Sequence, residues 1–161
     1  MSKGLISSAF TRNDEIWLET CSFLSSRLSK CPRRQFTAIL VNQDNQVISI
    51  GYNGNIRGQL GDLCGSIHCE RNVQEIPSGK QTDIGCIHAE ENAILNCARQ
   101  GISCKGATLY VNGEPCLKCS ARIVQSGIQK LVYTSSEYSI DGLQMLKSHD
   151  IVVVEDKRCE T

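Results

Sequence analysis

Two short motifs constrain this chain most, because each marks a helix start that carries potential metal ligands. The first is His88-x-Glu90, which opens a segment whose small apolar residues recur at helical spacing. The second is Pro115-Cys116-x-x-Cys119, in which two thiols lie one helical turn apart behind a proline that favours a helix start. If these residues act as one site, the fold has to bring the two helix starts together.

The side chains of His88, Cys116 and Cys119 form a ligand set typical of catalytic zinc. Such a site has three protein ligands and one open position, and it lowers the pKa of bound water to about 7. Two thiolates balance the charge of Zn²⁺, and a neutral imidazole adds a ligand without adding charge. Positions two apart do not share a helix face, so we expect Glu90 to lie beside the substrate and to carry protons.

Bulk composition predicts a single domain over residues 1–161, with its core at about 13–155, because this length suits one hydrophobic core. The sequence has no run of about 18 apolar residues and no secretory signal at its start, so we expect a cytoplasmic protein without a membrane span. In a reducing compartment, ten cysteines favour metal binding or catalysis over disulfides. Seventeen basic and seventeen acidic residues balance, which favours a small-molecule substrate over a nucleic-acid polymer.

Hydrophobic periodicity predicts an α/β fold with a mixed five-stranded sheet. Strands that alternate with helices after an initial hairpin imply that the later strands run parallel, with helices on both faces in three α/β/α layers. In the helix after Pro115, we expect Leu117, Ala121 and Val124 to face inward. The predicted helices cover 13–30, 88–100, 116–126 and 139–148, and the predicted strands cover 36–41, 47–52, 107–111, 131–134 and 151–154.

Residues 55–86 show little periodicity, and a loop of this length is unusual in a compact domain unless something orders it. The segment contains Cys64, His68, Cys69 and Cys86, and short Cys/His tracts of this kind indicate a structural metal. Ordinary buried cysteines are one alternative. In another, Cys64 and Cys69 join the two cysteines of the second motif in a zinc ribbon that is purely structural.

From about Trp17 to Val154 the sequence resembles the deoxycytidylate (dCMP) deaminases of the cytidine/deoxycytidylate deaminase superfamily. The zinc motifs carry the resemblance to the superfamily, and Gly51-Tyr-Asn-Gly54 with the cysteine-bearing loop carries the resemblance to the dCMP branch. The resemblance implies a cytidine-deaminase-like fold, catalytic zinc and a proton-carrying Glu90. It also implies the hydrolysis of dCMP to dUMP and ammonia, which supplies thymidylate synthesis.

The same resemblance implies roles for residues outside the zinc motifs. Asn53 would contact the deoxyribose, the backbone near Ala89 would contact the base, and Tyr138 would lie over the sugar-phosphate side. Family members commonly form homo-hexamers that dCTP activates and dTTP inhibits, so we expect a homo-oligomer with such effectors. A second, structural zinc would be held by Cys31, Cys64, Cys69 and Cys86, with His68 as a competing ligand.

The sequence leaves two alternatives to dCMP deamination open. Other enzymes of the superfamily deaminate dCTP, cytidine or tRNA adenosine, although the neutral net charge speaks against tRNA. A zinc-stapled interaction module without catalytic activity is a further alternative, and the intact Glu90 speaks against it. Four arginines are candidates for binding a nucleotide's phosphates, although exposed arginines are commonly just solvated, namely Arg27, Arg33, Arg34 and Arg57.

Overall fold

The computed structural model describes residues 6–58, 69–77, 86–136 and 140–158. All nine predicted elements are present, with ends that differ from the predictions by at most two residues, and a short helix that was not predicted lies in the long loop. None of the helices within these ranges is long and apolar enough to cross a membrane. The helices are α1 (Arg12–Leu28), α2 (Glu70–Val73), α3 (Ala89–Gln100), α4 (Leu117–Gln125) and α5 (Asp141–Ser148), and the strands are β1 (Thr37–Val41), β2 (Val47–Tyr52), β3 (Thr108–Val111), β4 (Lys130–Thr134) and β5 (Val152–Asp156).

The five strands form one mixed sheet in the order β2-β1-β3-β4-β5. Strand β1 runs antiparallel to β2 and β3, whereas β3, β4 and β5 are parallel, which confirms the predicted sheet. Helices α4 and α5 provide the crossovers that parallel neighbours require. As a result, the amino end of β1 and the carboxyl ends of β2, β3 and β4 all lie at the same end of the sheet.

Helices cover both faces of the sheet, as predicted for three α/β/α layers. Along β1, Ala38 and Leu40 face a core shared with α3, α4 and α5, while Ile39 and Val41 face a core shared with α1. This alternation is the two-residue period of a strand that is buried on both faces. The side with three helices also carries the starts of α3 and α4, and therefore both sequence motifs.

The inward face predicted for α4 is wrong. Leu117 is 39% exposed and Ala121 is also exposed, while Val124 packs only partly against the core. The helix is rotated relative to the prediction for two reasons. Cys119 has to face His88 at the start of α3, and α5 packs closely against Ser120. The buried residues of α4 are Cys119, Ser120 and Ile123.

A buried ion pair joins the first turn of α1 to β4. Asp14 is only 1% exposed, and both of its carboxylate oxygens accept hydrogen bonds from Lys130 Nζ, at 3.1 and 3.0 Å. The Tyr110 hydroxyl donates to the same carboxylate at 2.9 Å, and the backbone N–H and hydroxyl of Thr11 each donate to it at 2.9 Å. Burial raises the pKa of Asp14, but the bonds from Lys130, Thr11 and Tyr110 outweigh it and hold the pKa below its usual value.

We expect Asp14→Asn to lower the free energy of unfolding by about 3–5 kcal/mol near neutral pH, because it leaves Lys130 buried without its counter-charge. The folded pKa of Asp14 lies below its unfolded value of about 3.9, so the ion pair stabilises the fold above that value. This contribution is lost as pH falls through the folded pKa. Urea denaturation of wild type and variant measures the difference, which should shrink below about pH 4. A difference that does not change with pH would contradict the assignment.

Candidate active site

The N-termini of α3 and α4 converge and bring the two motifs together. His88 is the N-cap residue of α3, and Cys116 is the N-cap residue of α4. His88 Nδ1 lies 3.5 Å from Cys116 Sγ and 3.6 Å from Cys119 Sγ, and the three ligand atoms all lie within 4.8 Å of one another. The positive ends of two helix dipoles therefore face the thiols, which favours their thiolate form.

This group has the donor set and the spacing of a zinc site. Zinc bonds of about 2.0–2.3 Å place tetrahedral ligand atoms roughly 3.5 Å apart, close to the two nitrogen–sulfur distances of this group. In the part of the chain that the structure describes, no fourth His, Cys, Asp or Glu joins the three ligands, and Cys69 is therefore not one of them. Three protein ligands with a fourth position left open are characteristic of catalytic rather than structural zinc.

The buried groups around these ligands have strongly shifted proton affinities. Hydrogen bonds from Cys119 and His88 lower the pKa of the Cys116 thiol to about 4, and the bond to Cys116 raises the pKa of His88. Glu90 is in the first turn of α3 and is 5% exposed. Its burial raises the pKa of Glu90 to about 7. A buried carboxyl with these properties is suited to carrying protons near neutral pH.

Two glycines allow the close packing that positions the helix starts. A Cβ on Gly51 would lie 2.2 Å from the Ala89 carbonyl oxygen, so β2 approaches α3 more closely than any other residue would allow. A Cβ on Gly142 would lie 2.0 Å from the Pro115 carbonyl oxygen, so α5 packs directly against the turn that carries Cys116. Close packing therefore fixes both helix starts: the sheet supports the start of α3, and α5 supports the start of α4.

A cavity opens beside the ligand group, and His88, Glu90 and Cys116 contribute to its wall. Its charged lining consists of Glu90 and Glu114 together with three arginines, Arg33, Arg34 and Arg71. A cavity that joins a metal-ligand set, a buried carboxyl and several guanidinium groups is suited to hydrolysis of an anionic substrate.

Comparison with known proteins identifies the family. The model of the cytidine and deoxycytidylate deaminase zinc-binding region matches residues 11–135. The chain belongs to this family. The match includes both motifs and ends just after β4, so the ligand geometry described above lies within the family's zinc-binding region.

Individual relatives agree with this assignment. The deoxycytidylate deaminase of Schizosaccharomyces pombe is 39% identical over 130 residues, which are 80% of this chain but 38% of that protein, so the chain spans about two fifths of this relative. The deoxycytidylate deaminase of Mycobacterium phage D29 is 39% identical over 127 residues, 74% of this chain and 92% of that protein. The crystal structure of the dCMP deaminase from cyanophage S-TIM5, in complex with dCMP and dUMP, matches with a TM-score of 0.76 and 25% identity, covering 92% of this chain and all of that one. This match confirms the cytidine-deaminase-like fold.

The structure brings only two of the four predicted arginine candidates to the cavity of this deaminase-family chain. Arg33 and Arg34 line it. Arg27 instead lies over the Phe23 ring, 4.1 Å from its centroid, and Arg57 donates a hydrogen bond to Asn96 at 3.3 Å. Neither of these two residues lines the cavity, because α1 ends before the cavity wall begins and Arg57 points toward α3.

Arg71 is a cavity residue that the sequence analysis missed. It lies in α2, within the long loop that shows no periodicity, and its one distinguishing signal was its position two residues after Cys69. Arg71 Nη2 donates to the Pro77 carbonyl at 3.1 Å, and Arg33 Nη1 donates to the Ile76 carbonyl at 2.9 Å. The bond from Arg33 attaches the segment 69–77 to the cavity wall, and the bond from Arg71 joins the two ends of that segment.

Asn53 lines the cavity, and its amide also holds the cavity wall in place. Its Oδ1 accepts hydrogen bonds from the Ser29 hydroxyl at 2.6 Å and from the Phe36 backbone N–H at 2.9 Å. Its Nδ2 donates to the Arg34 carbonyl at 2.9 Å. Of the other predicted substrate contacts, Ala89 lines the cavity at the start of α3, and Tyr138 lies outside the described residues.

Three of the four cysteines predicted for a second zinc line the same cavity. They are Cys31, Cys69 and Cys86, while Cys64 and the competing ligand His68 lie outside the described residues. A hydrogen bond from Cys86 lowers the pKa of the Cys31 thiol to about 5. Among the described residues, these cysteines do not form a group with all ligand atoms within 4.8 Å. The second zinc therefore stays a prediction.

We expect Gly142→Ala to reduce the zinc content of the purified protein and to destabilise it by about 1–3 kcal/mol, the usual cost of overpacking. The reason is that the added Cβ overlaps the Pro115 carbonyl oxygen and displaces the turn that carries Cys116. Metal analysis gives the zinc content per chain, and thermal unfolding gives the change in stability. Gly54→Ala is the matched control, because a Cβ at Gly54 would meet only the Tyr52 ring, at 3.9 Å. Full zinc content and unchanged stability in Gly142→Ala would refute the claim that α5 supports the start of α4.

Proposed function

We propose that this chain catalyses the hydrolytic deamination of dCMP to dUMP and ammonia, and so supplies thymidylate synthesis. The observation that carries the proposal is the placement of Glu90 beside the group of His88, Cys116 and Cys119, in a cavity lined by arginines. The family assignment and the relatives named deoxycytidylate deaminase support the same reaction.

His88, Cys116 and Cys119 would hold one zinc ion, which acts when bound as a Lewis acid that makes water nucleophilic near neutral pH. Glu90 takes the two protons of the attacking water in turn and delivers one to ring N3 and the other to the amino nitrogen, which leaves as ammonia. In this exchange a carbon–oxygen bond forms on the pyrimidine ring and the carbon–nitrogen bond to the amino group breaks. The burial of Glu90 keeps its carboxyl close to the reacting atoms.

The remaining cavity residues are assigned to the parts of the nucleotide. We assign the Ala89 backbone to the base, Asn53 to the deoxyribose and Tyr138 to the sugar-phosphate side. Asn53 holds the 29–36 segment through three hydrogen bonds, so it also supports the wall on which the sugar would rest.

The arginines favour a nucleotide over a nucleoside as the substrate. Arg33, Arg34 and Arg71 line one cavity, and guanidinium groups bind phosphate through strong, charge-assisted hydrogen bonds. Cytidine and deoxycytidine lack the group that these residues would recognise. The number of phosphates is a separate matter, and dCTP is therefore the competing substrate that the assay has to include.

We expect ammonia release to be fastest with dCMP when the zinc-loaded protein is assayed on dCMP, dCTP, cytidine and deoxycytidine. Glu90→Gln should lower turnover by about 10²–10⁴-fold, because it removes the proton carrier, and should leave the zinc content unchanged. Glu91→Gln is the matched control, because this neighbouring side chain pairs with Arg122 rather than lining the cavity. Release from none of the four compounds would refute the proposed function. Unchanged turnover in Glu90→Gln would exclude the role of Glu90.

We further propose a second, structural zinc, held by Cys31, Cys64, Cys69 and Cys86. The support is the shared position of three of these cysteines at the cavity and the hydrogen bond between Cys31 and Cys86. Four thiolates satisfy tetrahedral zinc, and the ion would order the long loop. It would also connect that loop to the wall that carries Arg33 and Arg34.

Metal analysis of the intact protein should return two zinc ions per chain, and the double variant Cys64→Ser with Cys69→Ser should return one. Cys21→Ala is the control, because Cys21 lies on α1 and is buried against the sheet, so this variant should keep both ions. A single zinc ion in the intact protein would rule out the second site. Retention of two ions in the double variant would rule out this ligand set.

We also propose that the protein works as a homo-oligomer, hexameric by analogy with its family, with dCTP and dTTP as effectors. The support for this proposal is the family assignment.

A further inference from the structure

We propose that Glu114 is a positioning residue for the substrate's phosphate. In this proposal, its carboxylate holds the turn that follows β4 at the rim of the cavity, and this turn orients the guanidinium of Arg34. The inference rests on the proposed function, because it assumes an anionic nucleotide in the cavity. It adds a residue that belongs neither to the metal-ligand group nor to the arginines.

The carboxylate of Glu114 binds the turn after β4 through several hydrogen bonds. Glu114 is 8% exposed, lines the cavity and immediately precedes Pro115. It accepts bonds from the Ser135 hydroxyl at 2.8 Å, from the Ser136 hydroxyl at 2.5 Å and from the Ser136 backbone N–H at 2.9 and 3.1 Å. Both carboxylate oxygens are used, so this one side chain restrains both Ser135 and Ser136.

Ser136 transmits this restraint to Arg34. The Ser136 carbonyl oxygen accepts a hydrogen bond from Arg34 Nη1 at 3.4 Å. The backbone of Arg34 is attached to the cavity wall through Asn53 Nδ2, at 2.9 Å. Its long side chain is exposed, so the contact with Ser136 helps to set the direction of the guanidinium. A side chain that is ordered before binding loses less conformational entropy when the ligand arrives.

The hydrogen-bond donors of Ser135 and Ser136 compensate the negative charge of Glu114. A carboxylate at the wall of a cavity for an anionic nucleotide would repel the phosphate if its charge faced the ligand. Here the oxygens of Glu114 are directed to donors on Ser135 and Ser136. Since Glu114 is not part of the metal-ligand group, its loss should affect substrate binding and spare both zinc and the chemical step.

The test compares the kinetics of zinc-loaded wild type, Glu114→Gln, Arg34→Met and the double variant with dCMP. We expect Glu114→Gln to raise KM for dCMP by about tenfold, as the loss of one charge-assisted hydrogen bond would, with kcat and zinc content near wild type. Arg34→Met should raise KM by a similar factor. The double variant should be no worse than the single variants, because both remove the same oriented guanidinium.

A control variant and a binding measurement separate this proposal from its alternatives. Glu19→Gln, a glutamate on α1 whose side chain is 67% exposed, is the matched control and should leave KM unchanged. Multiplicative effects in the double variant, or a loss of zinc or kcat in Glu114→Gln, would overturn the positioning role. Calorimetric titration of dCMP into the same variants combined with Glu90→Gln repeats the comparison without turnover, so failure of the proposed function is distinguished from failure of this proposal.

Discussion

The structure depends on the convergence of two helix N-termini at one point. Helix starts carry unsatisfied N–H groups and a positive dipole end, which favour thiolates and a metal ion's anionic ligands. In this protein the convergence is possible because Gly51 lets the sheet press against α3 and Gly142 lets α5 press against the turn before α4. A methyl group at either position would push one helix start away from the other.

Around this fixed point, the site separates rigid from adjustable parts. The ligands and Glu90 lie at the starts of helices that pack on the sheet, so their geometry is tied to the hydrophobic core. Arg33, Arg34 and the Ser135–Ser136 segment lie on loops and are held by hydrogen bonds that each pair a side chain with a backbone group. Chemistry is therefore placed on the stable part of the fold, while recognition of the substrate is placed on segments that tolerate change.

Local spacing explains which features could be predicted from the sequence. His88, Cys116 and Cys119 could be assigned because each motif is short and its geometry within a helix start is known. The mixed sheet with parallel later strands also followed from the order of elements, whereas the buried face of α4 did not, because it is determined by contacts with α3 and α5. Arg71 and Glu114 carry no local pattern, since their importance comes from where distant segments meet. The second zinc depends on residues 64 and 68, which lie outside the described ranges.

The antiparallel placement of β1 beside β3 has a consequence for how the cavity can evolve. Because β1 begins at the end of the sheet where β2, β3 and β4 finish, segments before β1 and segments after the other three strands together form the rim of the cavity. These segments come from different parts of the chain and are joined at the rim by the sheet and by hydrogen bonds such as those of Asn53 and Glu114. A substitution on one segment therefore shifts its neighbours on the rim, whereas the metal ligands at the starts of α3 and α4 are held by the core.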